Sequence, residues 1–223
     1  MTRSGWAQLR HLAEDDLHLF STGQARAAGI SRSELTAAVE RQELWQAAPD
    51  VWAFTDVEMN PYEGWAAAWM TMNLKTSIEE RRRTPDVVIS HDAAAVIREL
   101  GTLAPRVLTV TAPITPAEVP ASVSAVVVEI GDVGVEGVDW TICEGLPVST
   151  PKRLIADLAA VNTEGSHLGT VIEEAIVDNL LTHDEATDIL RPHIHRWGLT
   201  NPDTAVDLLI NASVEPNYPN VPR

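Results

Sequence analysis

Four groups of residues in this chain are of types that do chemistry. Ser90, His91 and Asp92 stand side by side as "SHD", the side chains of a hydrolytic triad. Members of a triad converge from separate places, however, and neighbours in sequence point apart, so the expectation is that Ser90 or Asp92 caps the helix that follows. His193 and His195, with His183 nearby, could chelate a metal, because alternate residues of an extended segment face one side. No carboxylate or cysteine spacing completes that set, so no metal and no cofactor is expected. The basic clusters "ERRR" (80–83) and "KR" (152–153) could hold a phosphate or an acidic patch, and solvated helix ends explain them more simply.

The fourth group has the clearest local context. In "ISRSELTAAVERQ" Ser31 and Glu34 form a capping box, which places a helix over 31–42. At 100° per residue Leu35, Ala38 and Val39 share one side, and Arg32, Ser33, Thr36, Ala37 and Glu40 share the other. Side chains in the first turns of such a helix can reach base edges in a DNA groove. Arg32, Ser33 and Thr36, with Gln24, Ser31 and Arg41 around them, are therefore the candidate DNA-binding residues. Catalytic signatures are missing: there is no G-x-x-x-x-G-K-[ST] and no G-x-G-x-x-G, and "GDVGVEG" (131–137) reads as a strand-linking turn. An enzyme is disfavoured, and Cys143, on a predicted strand, reads as a small core residue.

Stepped hydrophobic spacing supplies the elements that would carry these residues. Trp6, Leu9, Leu12, Leu17 and Phe20 predict a first helix over 6–20, and Ser21 or Thr22 caps a short second one over 23–28. Gly29 provides the turn before the third. Alternation around "APD" predicts a hairpin over 44–54, followed by a linker at 55–61. A single helix spans 62–83. Strands are expected at 86–90, 106–112, 124–131 and 138–144, with a helix over 91–100 and another opened by Pro151. After residue 162 the pattern is helical three times over, the second helix opened by Thr182 and Glu185 and ended near Pro192, with an extended tail from 213. The fold class expected is α+β: a winged helix-turn-helix domain (1–58), a mixed α/β core (59–162) and an acidic helical portion (163–223).

Charge narrows the partners. The chain of 223 residues has a formal net charge of −16, and the imbalance grows along it. Residues 1–56 hold five basic residues against eight acids, residues 57–160 eight against fourteen, and residues 161–223 three against ten. Non-specific DNA binding rests on cations that release condensed counterions, so bulk affinity for nucleic acid is disfavoured and a basic protein surface is the favoured target. One cysteine, no apolar stretch long enough to span a bilayer and an early charged N-terminus point to a cytoplasmic location without a membrane partner.

Three stretches in order, "FSTGQARAAGISRSELTAAVERQELWQAAPDVWAF", "VVISHDAAAVIREL" and "GLPVSTPKRLIADLA", resemble the AbiEi-like antitoxins of type IV toxin–antitoxin systems, and cover most of residues 20–160. The resemblance implies an N-terminal winged helix that represses the chain's own operon by binding operator DNA, and a remainder that neutralises a cognate nucleotidyltransferase-type toxin. It also marks a departure. A wing in that family is arginine-rich, with a glycine before its aromatic pair, and here Gln46, Ala47, Ala48 and Asp50 take those places. The acidic C-terminal third is then expected to be steered to the toxin's basic cleft. Two other readings remain open from the residues: a transcriptional regulator without a toxin, and an antitoxin that promotes phosphorylation of its toxin.

Overall fold

The computed structural model describes residues 3–15, 17–57, 61–116 and 125–214. Residues 58–60 of the predicted linker (55–61), the first residue (124) of the predicted strand over 124–131 and residues 215–223 of the predicted tail lie outside the described residues, and residues 213 and 214, expected to be extended, end the last helix instead. The protein is α+β, in two compact units. One comprises Met1–Val87, Arg106–Leu108 and Ile114–Val128; the other comprises Val88–Pro105, Thr109–Pro113 and Glu129–Arg223.

The first unit opens with α1 (Arg3–Asp15), shorter than its hydrophobic spacing implies. Leu17 and His18 adopt positive φ (63° and 61°), which breaks the helical path, and Leu19–Ser21 becomes strand β1 instead. Tertiary pairing wins here: β1 lies antiparallel to β3 (Val51–Phe54), with Phe20 opposite Trp52, and β3 pairs in turn with β2 (Leu44–Ala48). Helices α2 (Thr22–Ala27) and α3 (Arg32–Glu40) complete the layer over this three-stranded sheet. Leu9, Phe20, Leu35, Leu44, Trp52 and Phe54 fill the space between, with the two phenylalanine rings 5.3 Å apart.

The expected single helix over 62–83 is two, α4 (Glu63–Thr71) and α5 (Ile78–Arg83). Local side chains write the break. The Asn73 side-chain oxygen Oδ1 accepts from the amides of Lys75 and Thr76, and Ser77 caps α5 by accepting from Glu80 N–H through its hydroxyl. Arg81 then folds back under α4. Its Nη1 donates to the Trp69 carbonyl at 2.9 Å, its Nε donates to Asp86 at 2.8 Å, and its guanidinium lies 3.8 Å from the Trp69 ring centre. "ERRR" is thus not uniformly a solvated helix end: Arg81 is 1% exposed, whereas Arg83 pairs with Glu79 at the surface. Helix α4 packs on β2 and β3.

Helix α6 (His91–Ile97) follows strand β4 (Val88–Ile89), and β4, β5 (Val107–Ala112), β6 (Ala125–Ile130), β7 (Trp140–Cys143) and β8 (Leu146–Ser149) form a five-stranded sheet of order β6-β5-β4-β8-β7. β8 was hidden in the sequence by Pro147, which cannot donate to a ladder. It nonetheless pairs parallel with β4 and antiparallel with β7. Thr150 caps α7 (Pro151–Ala160), with proline in the first turn as expected. Helices α8 (Gly165–Val177), α9 (His183–Leu190, opened by the Thr182/Glu185 capping box) and α10 (Pro202–Val214) follow, with a 3-10 turn (Ile194–Trp197) between the last two. Gly169 lets α10 approach, since a Cβ there would strike the Leu209 carbonyl, and α9 packs on α7. Helices α7 to α10 fall in one compact unit. Among the described residues no helix is long and apolar enough to cross a membrane.

Candidate nucleic-acid interface

The face that could meet DNA is built by two capped helices and the turn between them. Ser21 accepts from the Gln24 amide at 3.1 Å while the Gln24 side-chain oxygen accepts from Ser21 N–H at 2.6 Å, which fixes the start of α2. Gly29, at φ +79°, reverses the chain. Ser31 and Glu34 then close a second reciprocal cap, with the Ser31 N–H donating to Glu34 at 2.9 Å. A cleft of about 550 Å³ opens between these helices, lined by Thr22, Arg26, Gly29, Ile30, Ser31 and Arg32.

Arg32, Ser33 and Thr36 are all exposed on α3, on the side opposite buried Leu35 and Ala38. The Ser33 hydroxyl lies 3.0 Å from that of Ser31, and Thr36 donates to the Arg32 carbonyl at 3.1 Å. Gln24 is committed to its cap. Arg41 ends α3 and grips Glu43 through two bonds of 3.0 and 2.8 Å.

Electrostatics limit what this face can hold. Arg32 stands 3.2 Å from Asp50 in the β2–β3 turn, and Asp50 also accepts from the Thr22 hydroxyl at 2.8 Å while its carbonyl accepts from Thr22 N–H at 2.9 Å. Thr22 in turn accepts from the Trp52 indole at 2.8 Å. The turn is therefore latched onto the front of α2 by an acid. At the N-terminus of α3, where a DNA phosphate would meet free amides, the Ser31 amide holds the Glu34 carboxylate below the usual carboxylate range. Of the two arginines that line the cleft, Arg32 is paired with Asp50 and Arg26 pairs with no acid among the described residues, while Arg41, at the far end of α3, is held by Glu43.

The hairpin explains its own composition. Ala47 and Ala48 are 4% and 3% exposed, on a strand against which α4 packs. They are packing residues, with no exposed side chain to reach a phosphate. Thr22, Arg26 and Asp50 were missed from sequence. The signal was the juxtaposition of an acid with a tryptophan two residues on, which has no meaning until β3 is laid beside β1.

The other candidate groups are placed as follows. Ser90 is the N-cap residue of α6, yet its hydroxyl makes no cap bond. It accepts from Thr111 Oγ1 at 2.9 Å and lies 2.9 Å from His91 Nδ1. Adjacent residues meet here because His91 takes φ +53°, which turns its ring back toward Ser90. Ser90 is 0% exposed, so the pair is a buried brace between β4 and β5. Asp92 lies in the first turn of α6. His183 faces Asp207 at 3.1 Å, and no cluster of three metal-ligating side chains occurs among the described residues. Cys143 is half-buried, its thiol reaching the Ile97 carbonyl.

Fold and site together define a two-unit α+β protein with a capped helix pair presented beside a hairpin. Among solved structures it is similar to the RV2827C protein from Mycobacterium tuberculosis, with a TM-score of 0.50 and 18% identity over 95% of this chain and 78% of that one. At that identity the likeness is one of fold alone. The chain matches no family model and no curated protein.

Proposed function

We propose that this chain is an antitoxin of the AbiEi-like type IV kind, which neutralises a cognate nucleotidyltransferase-type toxin by binding it. In this reading α2 and α3 are the helix-turn-helix of a winged domain, and operator binding is its weaker, secondary activity. The observation that carries the ranking is the state of the cations. Arg32 and Arg41 are tied to Asp50 and Glu43, in a chain with 16 Lys and Arg against 32 Asp and Glu. Such a surface gives little counterion release on a polyanion and is steered toward a basic protein.

Co-expression with the product of the adjacent gene tests it. Rescue of growth, with a co-purifying complex whose toxin mass is unchanged after incubation with ATP, supports neutralisation by binding. A toxin mass raised by a phosphoryl group moves the mechanism to covalent modification, and absence of both rescue and complex refutes the antitoxin reading. A shift assay on the chain's upstream DNA should show retardation at low salt that fades by about 0.2 M. Tight retention at that ionic strength would reverse the ranking.

A further inference from the structure

The first unit carries a second cleft, of about 280 Å³, between α2 and the loop that joins α4 to α5. Gly23, Gln24 and Ala27 line it from α2, whereas Thr22 and Arg26 line the cleft beside α3, so α2 borders a cleft on each of two sides. Its charge runs against that of the chain. Lys75 and Arg81 belong to the lining and no Asp or Glu does, in a chain with 16 Lys and Arg against 32 Asp and Glu.

The polar lining is rich in donors that have nothing to donate to. Thr76 Oγ1 accepts from Asn73 Nδ2 at 3.1 Å, Ser77 Oγ from the Glu80 amide at 3.2 Å and Ser21 Oγ from the Gln24 amide at 3.1 Å. None of the three hydroxyls donates to a partner among the described residues. Arg81, 1% exposed, keeps Nη2 without a hydrogen-bond partner. A hydroxyl that already accepts one bond can turn its hydrogen to whatever acceptor arrives, and a carboxylate offers only acceptors.

The open charge and the rest of the wall narrow the anion. Asp86 pairs with Arg81 at 2.8 Å and offsets its charge. That leaves Lys75, exposed and in no ion pair among the described residues, as the lining cation still open. One cation matches a monoanion, whereas a phosphate monoester carries roughly two charges at neutral pH. Ala27, Met70, Leu74 and Ile78 supply apolar wall in the same cleft, which suits an acid with an apolar body.

We propose that this cleft binds a small monocarboxylic acid, its carboxylate held by Lys75 and the Thr76 and Ser77 hydroxyls and its apolar body lying along α2 at Ala27. The site is independent of the antitoxin reading, since it uses neither α3 nor the second unit. Phenylacetate is the probe, titrated against the full chain by ligand-observed NMR, with neutral phenylacetamide and inorganic phosphate alongside. Phenylacetate should bind more tightly than either. Lys75→Met should weaken it by about three- to fivefold, the effect of one exposed charge contact. Gly23→Leu fills the cleft at a position where a Cβ finds only ordinary contact with Ser21 Oγ at 3.5 Å, and should abolish binding. Ala27→Leu, at an exposed site on the same helix, should do the same. Lys152→Met, on α7, should bind as wild type. Circular dichroism melts confirm that each variant is folded. Binding that withstands both leucine variants overturns the assignment, as does equal affinity for phosphate or for the amide, and absence of phenylacetate binding overturns it outright.

Discussion

Arg81→Met is the sharpest test of how the first unit is held together. Methionine keeps the apolar stem but removes a guanidinium that is 1% exposed and joins α5 to the C-terminal turn of α4. The substitution deprives the Trp69 carbonyl of its bond at 2.9 Å, Asp86 of its bond at 2.8 Å, and the Trp69 ring of a cation 3.8 Å away. Removing one partner of a buried ion pair costs about 3–5 kcal/mol. Two features pull the figure down. Asp86 is 39% exposed and regains water, and Arg81 Nη2 has no hydrogen-bond partner, so an existing penalty disappears with it. Burial also pushes the guanidinium pKa down, with Asp86 opposing it. The expected loss is about 3 kcal/mol, which for a chain of this size lowers Tm by roughly 6–12 °C. Urea unfolding followed by tryptophan fluorescence reads it. Arg83→Met, which breaks the exposed pair with Glu79, should leave the midpoint unchanged. Equal midpoints for the two variants would refute the assignment of Arg81 as the strut between α4 and α5.

Three further outcomes follow from particular side chains. Burial raises the Glu63 carboxyl above its usual range, with His18 opposing, and Oε2 has no partner. The folded chain then holds that proton more tightly than the unfolded one. Its contribution to stability is complete below the ordinary carboxylate value and fades as pH rises through the raised one. Glu63→Gln should therefore be more stable than wild type at neutral pH, with the gap closing near about pH 4, as read from urea midpoints across pH. Asp50→Asn keeps an acceptor for Thr22 and tolerates φ +59°, but releases Arg32. If α3 meets DNA, the log–log salt slope should steepen by about 0.9, or three- to fourfold in affinity between 50 and 200 mM; unchanged slopes in fluorescence anisotropy would place Arg32 away from phosphate. Gly134→Ala should destabilise the β6–β7 loop by about 1 kcal/mol or more, from both its positive φ and the Asp139 clash, measured by thermal melts.

What could be read from sequence was chemistry that acts within four residues. Ser31 with Glu34 and Thr182 with Glu185 form the caps their spacing predicts, and Pro151 sits in the first turn of α7. What could not be read depends on partners far along the chain. The helical spacing of Leu17 and Phe20 yields to a strand because β3 is there to pair with it. Arg81 resembles its neighbours in "ERRR" until Asp86 and the end of α4 surround it. Asp50 reads as a turn residue and acts as a latch, since Thr22 and Arg32 lie 28 and 18 positions away. Exposure of Arg32, Ser33 and Thr36 was legible from periodicity, whereas the acids that occupy the cations were not.

The burial of Ala47 and Ala48 has an evolutionary corollary. Mutation cannot give this hairpin a basic grip at these sites one codon at a time, because an arginine at either would arrive in a dry, closely filled gap. Any lineage that acquired such a grip there would first have to open the packing around the strand, so these two alanines act as a ratchet on its history.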